Sequence, residues 1–99
     1  MAMKDIKNES TDRLFASIAR LNSVEECYAF FEDLCTIKEI QDMAQRFDIA
    51  VLLDEGQSYQ QIAGSVGVST ATICRVNRCL EYGAGGYRDA LDKMKEEDR

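Results

Sequence analysis

The segment SYQQIAGSVGVSTATICRVNRCL, residues 58–80, is the most informative part of this sequence. Two helical patterns flank the three residues GVS, and helices joined by so short a turn must cross closely at a steep angle. Gly67 tolerates the positive φ that such a turn needs, and Ala63 is small enough for the crossing. The other inward-facing positions are all apolar: Ile62, Val66, Val68, Ile73, Val76 and Leu80. The pattern predicts a helix-turn-helix over about residues 58–82.

The charge distribution suggests what this segment contacts. The chain has eighteen acidic and twelve basic residues and a net charge of −6, yet Arg75 and Arg78 are the only charged residues from Gly56 to Leu80. An ordinary pair of antiparallel helices would explain the apolar positions but not the missing carboxylates. A surface that approaches DNA must avoid carboxylates, because phosphates repel them. We therefore predict a sequence-specific DNA-binding transcriptional regulator that acts as a repressor.

The predicted contacts lie at the starts of the two helices and along the second one. Recognition helices usually meet base edges near their N-terminus, where Thr70 can hydrogen-bond a base and Ala71 can touch a thymine methyl. Backbone N–H groups at helix starts favour phosphate. The predicted DNA-binding residues are Ser58, Gln60, Gln61, Ser69, Thr70, Ala71, Cys74, Arg75 and Arg78. Since this contact set is modest, we expect a two-fold homodimer that binds two half-sites of a double-stranded operator.

The remainder of the chain predicts an all-α protein. We expect residues 1–10 to be flexible and residues 11–97 to form one domain of six helices, with no strand. Three capping boxes predict helix starts at Ser23, Thr36 and Ser58. The run IAVLL at 49–53 covers the full circumference of a helix, so that helix should be surrounded, in part by a second subunit.

Composition argues against several classes of function. The chain has no histidine, no CxxC pair, no phosphate-binding loop and no nucleophile elbow, so we expect neither a metal site, a cofactor nor an enzyme. We expect Cys27, Cys35, Cys74 and Cys79 to be buried or half-buried thiols in a reducing compartment. With a polar N-terminus and no apolar run of about 20 residues, we expect a cytoplasmic protein without membrane contact.

The segment 58–80, preceded by TIKEIQDMAQRFDIAVLLDEG at 36–56, resembles the Trp repressor family, and most closely its Trp-repressor-like YerC/YecD group. The resemblance covers about residues 12–95. It implies an intertwined all-α homodimer of six-helix subunits with a helix-turn-helix at each end. It also implies transcriptional regulation, and it leaves control by a small amino-acid-like effector open.

The resemblance also implies an effector pocket between the third helix and the recognition helix. The arginines that sandwich the ligand's ring in that family correspond to Arg46 and Arg75, and the threonines correspond to Thr36 and Thr72. Two positions depart from the family: Val76 replaces a glycine that leaves room for a flat ring, and Cys79 replaces a serine. The departures argue against tryptophan itself as the ligand and leave another small effector, or none, open.

Simpler roles remain open for these residues. Arg75 can contact a phosphate, Arg46 can pair with Asp42 or Asp48, and Thr36 can serve only as a helix N-cap. Val76 also suits the core of any helix-turn-helix. The alternative function is a protein-binding adaptor that keeps the helix-turn-helix without DNA contact and uses its acidic outer surface.

Overall fold

The computed structural model describes residues 3–97, and this part of the chain contains helices and no strand, which confirms the all-α prediction. The helices are α1 (Met3–Ile6), α2 (Glu9–Ala19), α3 (Val24–Leu34), α4 (Ile37–Asp54), α5 (Tyr59–Ile62), α6 (Thr70–Tyr82) and α7 (Gly86–Glu97). A π-helical turn, Ala63–Gly67, directly follows α5. Helices α2–α7 match the six expected helices, and α1 lies within the segment predicted to be flexible. No helix in this part of the chain is long and apolar enough to cross a membrane.

The chain divides into two compact units, Met1–Gln41 and Asp42–Arg99, with the boundary inside α4. We call them the N-terminal unit and the C-terminal unit. The N-terminal unit contains α1–α3 and the start of α4. The C-terminal unit contains the rest of α4, the helix-turn-helix and α7.

Local hydrogen bonds define the helix starts of the N-terminal unit. Asn8 caps α2, since its Oδ1 accepts from the Thr11 N–H at 2.9 Å while Thr11 Oγ1 accepts from the Asn8 N–H at 2.9 Å. This box starts α2 at Glu9, two residues before the expected position. At the start of α3, the Ser23 hydroxyl accepts from the Glu26 N–H at 3.1 Å, but the Glu26 carboxylate accepts from the Asn22 N–H instead of the Ser23 N–H.

The capping box predicted at the start of α4 is present in full. Thr36 Oγ1 accepts from the Glu39 N–H at 3.1 Å, and the Glu39 carboxylate accepts from the Thr36 N–H at 2.8 Å. The hydrogen bond that the Glu39 carboxylate accepts from the Thr36 backbone N–H, followed by that from the Thr36 side chain, lowers the pKa of this carboxyl below its ordinary value. The start of α4 is therefore stabilised by contacts within its own first turn.

The N-terminal unit has no core of its own among the residues described. None of its side chains from Asp5 to Gln41 is buried within the single chain. Eight large hydrophobic side chains are exposed in the described part of the chain, and six of them belong to this unit, whereas Met43 and Tyr82 are the other two. The six are Ile6, Phe15, Val24, Tyr28, Leu34 and Ile37.

The C-terminal unit contains every buried hydrophobic side chain of the described chain. Helix α4 contributes Ile49 and Ala50, and the other helices contribute one or two each. The full set is Ile49, Ala50, Ile62, Ile73, Val76 and Leu91. Burying an aliphatic side chain of this size stabilises a fold by about 1.5–3 kcal/mol, so this cluster holds α4, α5, α6 and α7 together. The remainder of IAVLL, Val51 to Leu53, is half-buried against the same cluster.

The end of α4 is joined to α7. Gly56 ends α4 with φ +88°, and the N–H groups of Gly56 and Gln57 donate to the carbonyls of Leu53 and Leu52 in a Schellman arrangement. The Asp54 carboxylate, only 11% exposed, accepts from Arg88 at 2.7 Å and pairs with Lys95 at 2.5 Å. The hydrogen bond from Lys95, followed by that from Arg88, lowers the pKa of Asp54.

An aromatic pair makes a second contact between these two helices. The rings of Phe47 on α4 and Tyr87 on α7 stack with their centroids 6.4 Å apart. Together with the buried Leu91, the stacked rings and the Asp54 ion pairs attach α7 to α4 from Tyr87 to Lys95.

The expectation about the cysteines was largely wrong. All four are free thiols, but Cys27, Cys74 and Cys79 are exposed in the single chain and only Cys35 is half-buried. Cysteine is buried on average, but Cys74 and Cys79 lie on α6 outside the buried positions Ile73 and Val76, and Cys27 lies in the N-terminal unit, where no described side chain is buried. The average preference of a residue type is overridden by its position on the helix.

Candidate nucleic-acid interface

The first helix of the predicted helix-turn-helix begins with the expected capping box. The Ser58 hydroxyl accepts from the Gln61 N–H at 3.2 Å, and the Gln61 side-chain oxygen accepts from the Ser58 N–H at 2.9 Å. The sequence predicts one helix up to Val66, but the α-helix ends at Ile62 and continues as the π turn to Gly67. The wider π turn still carries the chain to Gly67, whose φ of +80° confirms the predicted turn position.

The second helix begins as predicted. Val68 and Ser69 are extended, and the Ser69 hydroxyl accepts from the Thr72 N–H at 3.3 Å to cap α6. The Ser69 and Thr72 hydroxyls are also 3.2 Å apart, within hydrogen-bonding distance. The first turn of α6 is therefore fixed by its own side chains.

The inward-facing positions of the helix-turn-helix are confirmed. Ile62, Ile73 and Val76 are fully or almost fully buried. The half-buried positions that pack against them are Ala63, Val66, Val68 and Leu80. The two helices are thus held against α4 and α7 by one side, which leaves the opposite side of α6 free.

All nine residues predicted to contact DNA lie on the exposed surface of the C-terminal unit. On α6, Thr70, Cys74 and Arg78 follow one another at four-residue intervals, with Ala71 and Arg75 beside them. This spacing places them on one face of the helix. Ser58, Gln60, Gln61 and Ser69 lie at the two helix starts. Because the Gln61 oxygen is used in the capping box, Gln60 is the glutamine whose side chain is the freer of the two.

The electrostatics of this surface differ from those of the rest of the chain. No acidic residue lies between Glu55 and Glu81. Within the described chain, neither Arg75 nor Arg78 forms an ion pair, whereas Arg88 is paired with Asp54 and Asp92. Two exposed, unpaired guanidinium groups on an acid-free face suit a partner that supplies its own anions.

The six residues of the predicted effector pocket differ in their burial and in the unit to which they belong. Thr72, Arg75, Val76 and Cys79 occupy neighbouring positions on α6 at i, i+3, i+4 and i+7. Val76 is only 2% exposed and is part of the hydrophobic core, while Arg75 and Cys79 are exposed. Thr36 belongs to the N-terminal unit, where it caps α4.

Arg46, the sixth of these residues, is exposed on α4. It forms no ion pair with another described residue, so the suggested pairing with Asp42 or Asp48 is not formed. Its guanidinium is thus free for a partner from outside the chain.

Sequence reasoning overlooked two exposed residues of the π turn. Gly64 and Ser65 follow Gln60 and Gln61 by four residues and are exposed like them. The available signal was Gly64 itself, because a glycine in the interior of a helical segment is unfavourable and needs a reason. No group of three or more residues that could hold a metal ion occurs within residues 3–97.

Comparison with known proteins agrees with this architecture. Residues 9–95 match the sequence model of the family described as Trp repressor protein. The chain is 51% identical over 96 residues to the protein YerC of Bacillus subtilis (strain 168), an alignment that covers 97% of this chain and 92% of YerC.

Two solved structures share the fold. A candidate Trp repressor of Staphylococcus aureus superposes with a TM-score of 0.89 at 42% identity, covering 96% of this chain and 95% of that one. A TrpR-like protein of Eubacterium eligens ATCC 27750 gives 0.88 at 43% identity, covering 93% and 95%. The chain belongs to the Trp repressor family.

Proposed function

We propose that this protein is a sequence-specific DNA-binding transcriptional regulator that acts as a repressor. Membership of the Trp repressor family makes the chain a regulator and not an enzyme. The observation that carries the proposal is the exposed, acid-free face of α6 with its two unpaired arginines. No other helix of eleven or more residues in the described chain lacks acidic residues over its first three turns.

The residues of this face divide into two roles. Arg75 and Arg78 bind phosphates, which hold the protein on the duplex whatever its sequence. Thr70 and Ala71, at the start of α6, contact base edges, and the caps at Ser58 and Ser69 direct backbone N–H groups toward phosphates. Bound at a promoter, the protein would exclude the transcription machinery.

The test is a selection from random duplex DNA followed by binding measurements at several salt concentrations. We expect an enriched, palindromic site. Arg75→Ala and Arg78→Ala should weaken binding to all duplexes and lower the salt slope by about one unit for each lost phosphate contact. Thr70→Ala should instead change the preferred sequence. Arg13→Ala, an exposed arginine of α2, is the matched control and should bind as the wild type does.

Failure of the selection would reject the regulator proposal. If no sequence is enriched and retention on DNA does not depend on salt, the adaptor alternative would take its place. The acidic surface of the chain would then be the surface to test against basic proteins.

The regulator is proposed to be a homodimer. The N-terminal unit has six exposed large hydrophobic side chains and no buried one among its described residues, so a second copy is needed to remove this apolar surface from water. A two-fold dimer would also present two copies of α6 to two half-sites. Analytical ultracentrifugation at micromolar concentration should give the mass of a dimer, and a monomer would reject this part of the proposal.

We also propose a small-molecule effector, and Val76 and Cys79 argue against tryptophan as that effector. Val76 packs into the core beside the proposed pocket, so it reduces the space for a flat ring near Arg75 and Cys79. Calorimetry against the twenty amino acids should give no heat with tryptophan. Binding of any of them should be weakened by Arg46→Ala, and no heat with any of them would leave a regulator without an amino-acid effector.

A further inference from the structure

The conformation of the chain gives no reason for a glycine at position 64. It lies within the helical segment formed by α5 and the π turn, where alanine is more favourable than glycine. Its φ is not positive, unlike those of Gly56, Gly67 and Gly85, so its backbone conformation does not require glycine. The residue is also exposed on the surface.

Packing within the chain offers no reason either. A Cβ placed on Gly64 would meet no heavy atom within 4 Å. Gly83, at the end of α6, is the opposite case, because a Cβ there would collide with the Cys79 carbonyl oxygen. Gly83 is needed by the fold, whereas the space in front of Gly64 is open.

The position of Gly64 points to the molecule that fills this space. Gly64 follows Gln60 by four residues, which is about one helical turn, so both lie on the same side of the segment. That side carries no charge, and it belongs to the acid-free region from Gly56 to Leu80. An acid-free segment whose only charges are two unpaired arginines favours an anionic backbone over an acidic or neutral protein surface.

We propose that Gly64 is a point of close approach, where the sugar–phosphate backbone of duplex DNA lies directly against the main chain of the π turn. This inference rests on the proposed DNA-binding function. A Cβ at position 64 would stand between the two backbones and hold them apart. Glycine is used for such approaches because it has no side chain to displace.

The test compares Gly64→Ala with Gly86→Ala. Gly86 is also exposed, lies at the start of α7, has no positive φ, and would have no heavy atom within 4 Å of an added Cβ. Binding is measured to the duplex that the wild type enriches from a random pool. Gly64→Ala should weaken binding about tenfold, as expected for forcing a methyl group into a close contact. Gly64→Leu should weaken it further, and Gly86→Ala should bind as the wild type does.

Thermal unfolding of the same variants separates a DNA contact from a structural role. Gly64→Ala should melt at or above the wild-type temperature, because alanine favours a helix. If Gly64→Ala and Gly64→Leu bind DNA with wild-type affinity while Arg75→Ala still weakens binding, the inference about Gly64 is wrong. The proposed DNA-binding function would not be affected by that result. A lower melting temperature for Gly64→Ala would also overturn the inference about Gly64. If the wild type enriches no duplex, the DNA-binding function itself fails.

Discussion

The two units of this chain are built from similar helices but are stabilised differently. In the C-terminal unit, side chains far apart in sequence meet in one buried cluster and in the Asp54–Arg88 ion pair. In the N-terminal unit, the hydrogen bonds of the caps join residues three or four positions apart, and six large apolar side chains remain exposed while no described one is buried. Capping alone contributes only about 1 kcal/mol per helix start, which is too little to hold a helix in place without packing. The C-terminal unit can therefore keep its structure within one chain, whereas the N-terminal unit needs a partner surface.

The prediction with the largest expected effect compares the truncation of one isoleucine in each unit. Ile73→Ala empties a fully buried position of the C-terminal core and should lower the free energy of unfolding by about 2–5 kcal/mol. Ile37→Ala truncates a side chain that is 75% exposed in the single chain, so no cavity forms within the chain. It should weaken self-association instead. Urea unfolding and sedimentation at several protein concentrations measure the two effects.

The opposite pattern would break the contrast. If Ile37→Ala lowers the unfolding free energy as much as Ile73→Ala and leaves sedimentation unchanged, the N-terminal unit has a core of its own. Ile37→Val, a smaller truncation, should give an intermediate effect on association.

The sequence predicted the features that depend on neighbouring residues and missed the contact between residues far apart in the chain. Inward positions such as Ile73 and the turn at Gly67 were predicted, because helical periodicity and φ requirements are local properties. The Asp54–Arg88 pair was not, since it joins residues 34 positions apart and no local pattern marks it. The cap at Asn8 was missed for a different reason: Thr11 takes the place of the glutamate or glutamine by which a capping box is recognised.

The predicted DNA-binding residues could be placed on the surface from the sequence, whereas the arrangement of the effector pocket could not. Every one of these residues is exposed, and the run without acids that marks their segment is visible in the sequence itself. Their contact with DNA stays a prediction. The π turn that exposes Gly64 and Ser65 could not be foreseen, since its i→i+5 geometry has no sequence signature of its own. The pocket depends on how α4 and α6 face one another, and helix spacing predicts only the stripe of positions on α6.

The second test concerns the ion pairs that attach α7 to the core. The pKa of Asp54 is lowered by Lys95 and Arg88, so the stabilisation is present above the ordinary pKa of an aspartate and is lost as the pH falls through the lowered value. Asp54→Asn should therefore cost about 1 kcal/mol at pH 7, a modest figure because the side chains of Arg88 and Lys95 are 44% and 54% exposed. At a pH below the lowered pKa of Asp54, where the carboxyl is protonated, the variant and the wild type should unfold alike.

Asp92 provides the control for this test. Its carboxylate is 56% exposed and lies 3.9 Å from Arg88, so Asp92→Asn should change stability much less than Asp54→Asn at pH 7. An Asp54→Asn effect of the same size at both pH values would show that the loss comes from packing and not from charge.

The smallest effect should come from the start of α4, where the contacts are entirely local. The pKa of Glu39 is lowered mainly by the hydrogen bond from the Thr36 N–H, so its contribution is also present above the ordinary glutamate pKa and lost in acid. Glu39→Gln keeps an acceptor oxygen and removes only the charge; the unfolding free energy at pH 7 should thus fall by less than with Asp54→Asn. Carboxyl titration by NMR checks the cause: in Thr36→Ala the pKa of Glu39 should rise only partly, because the backbone N–H remains. A complete return to the ordinary glutamate pKa would mean that the Thr36 hydroxyl, and not the backbone, holds this helix start.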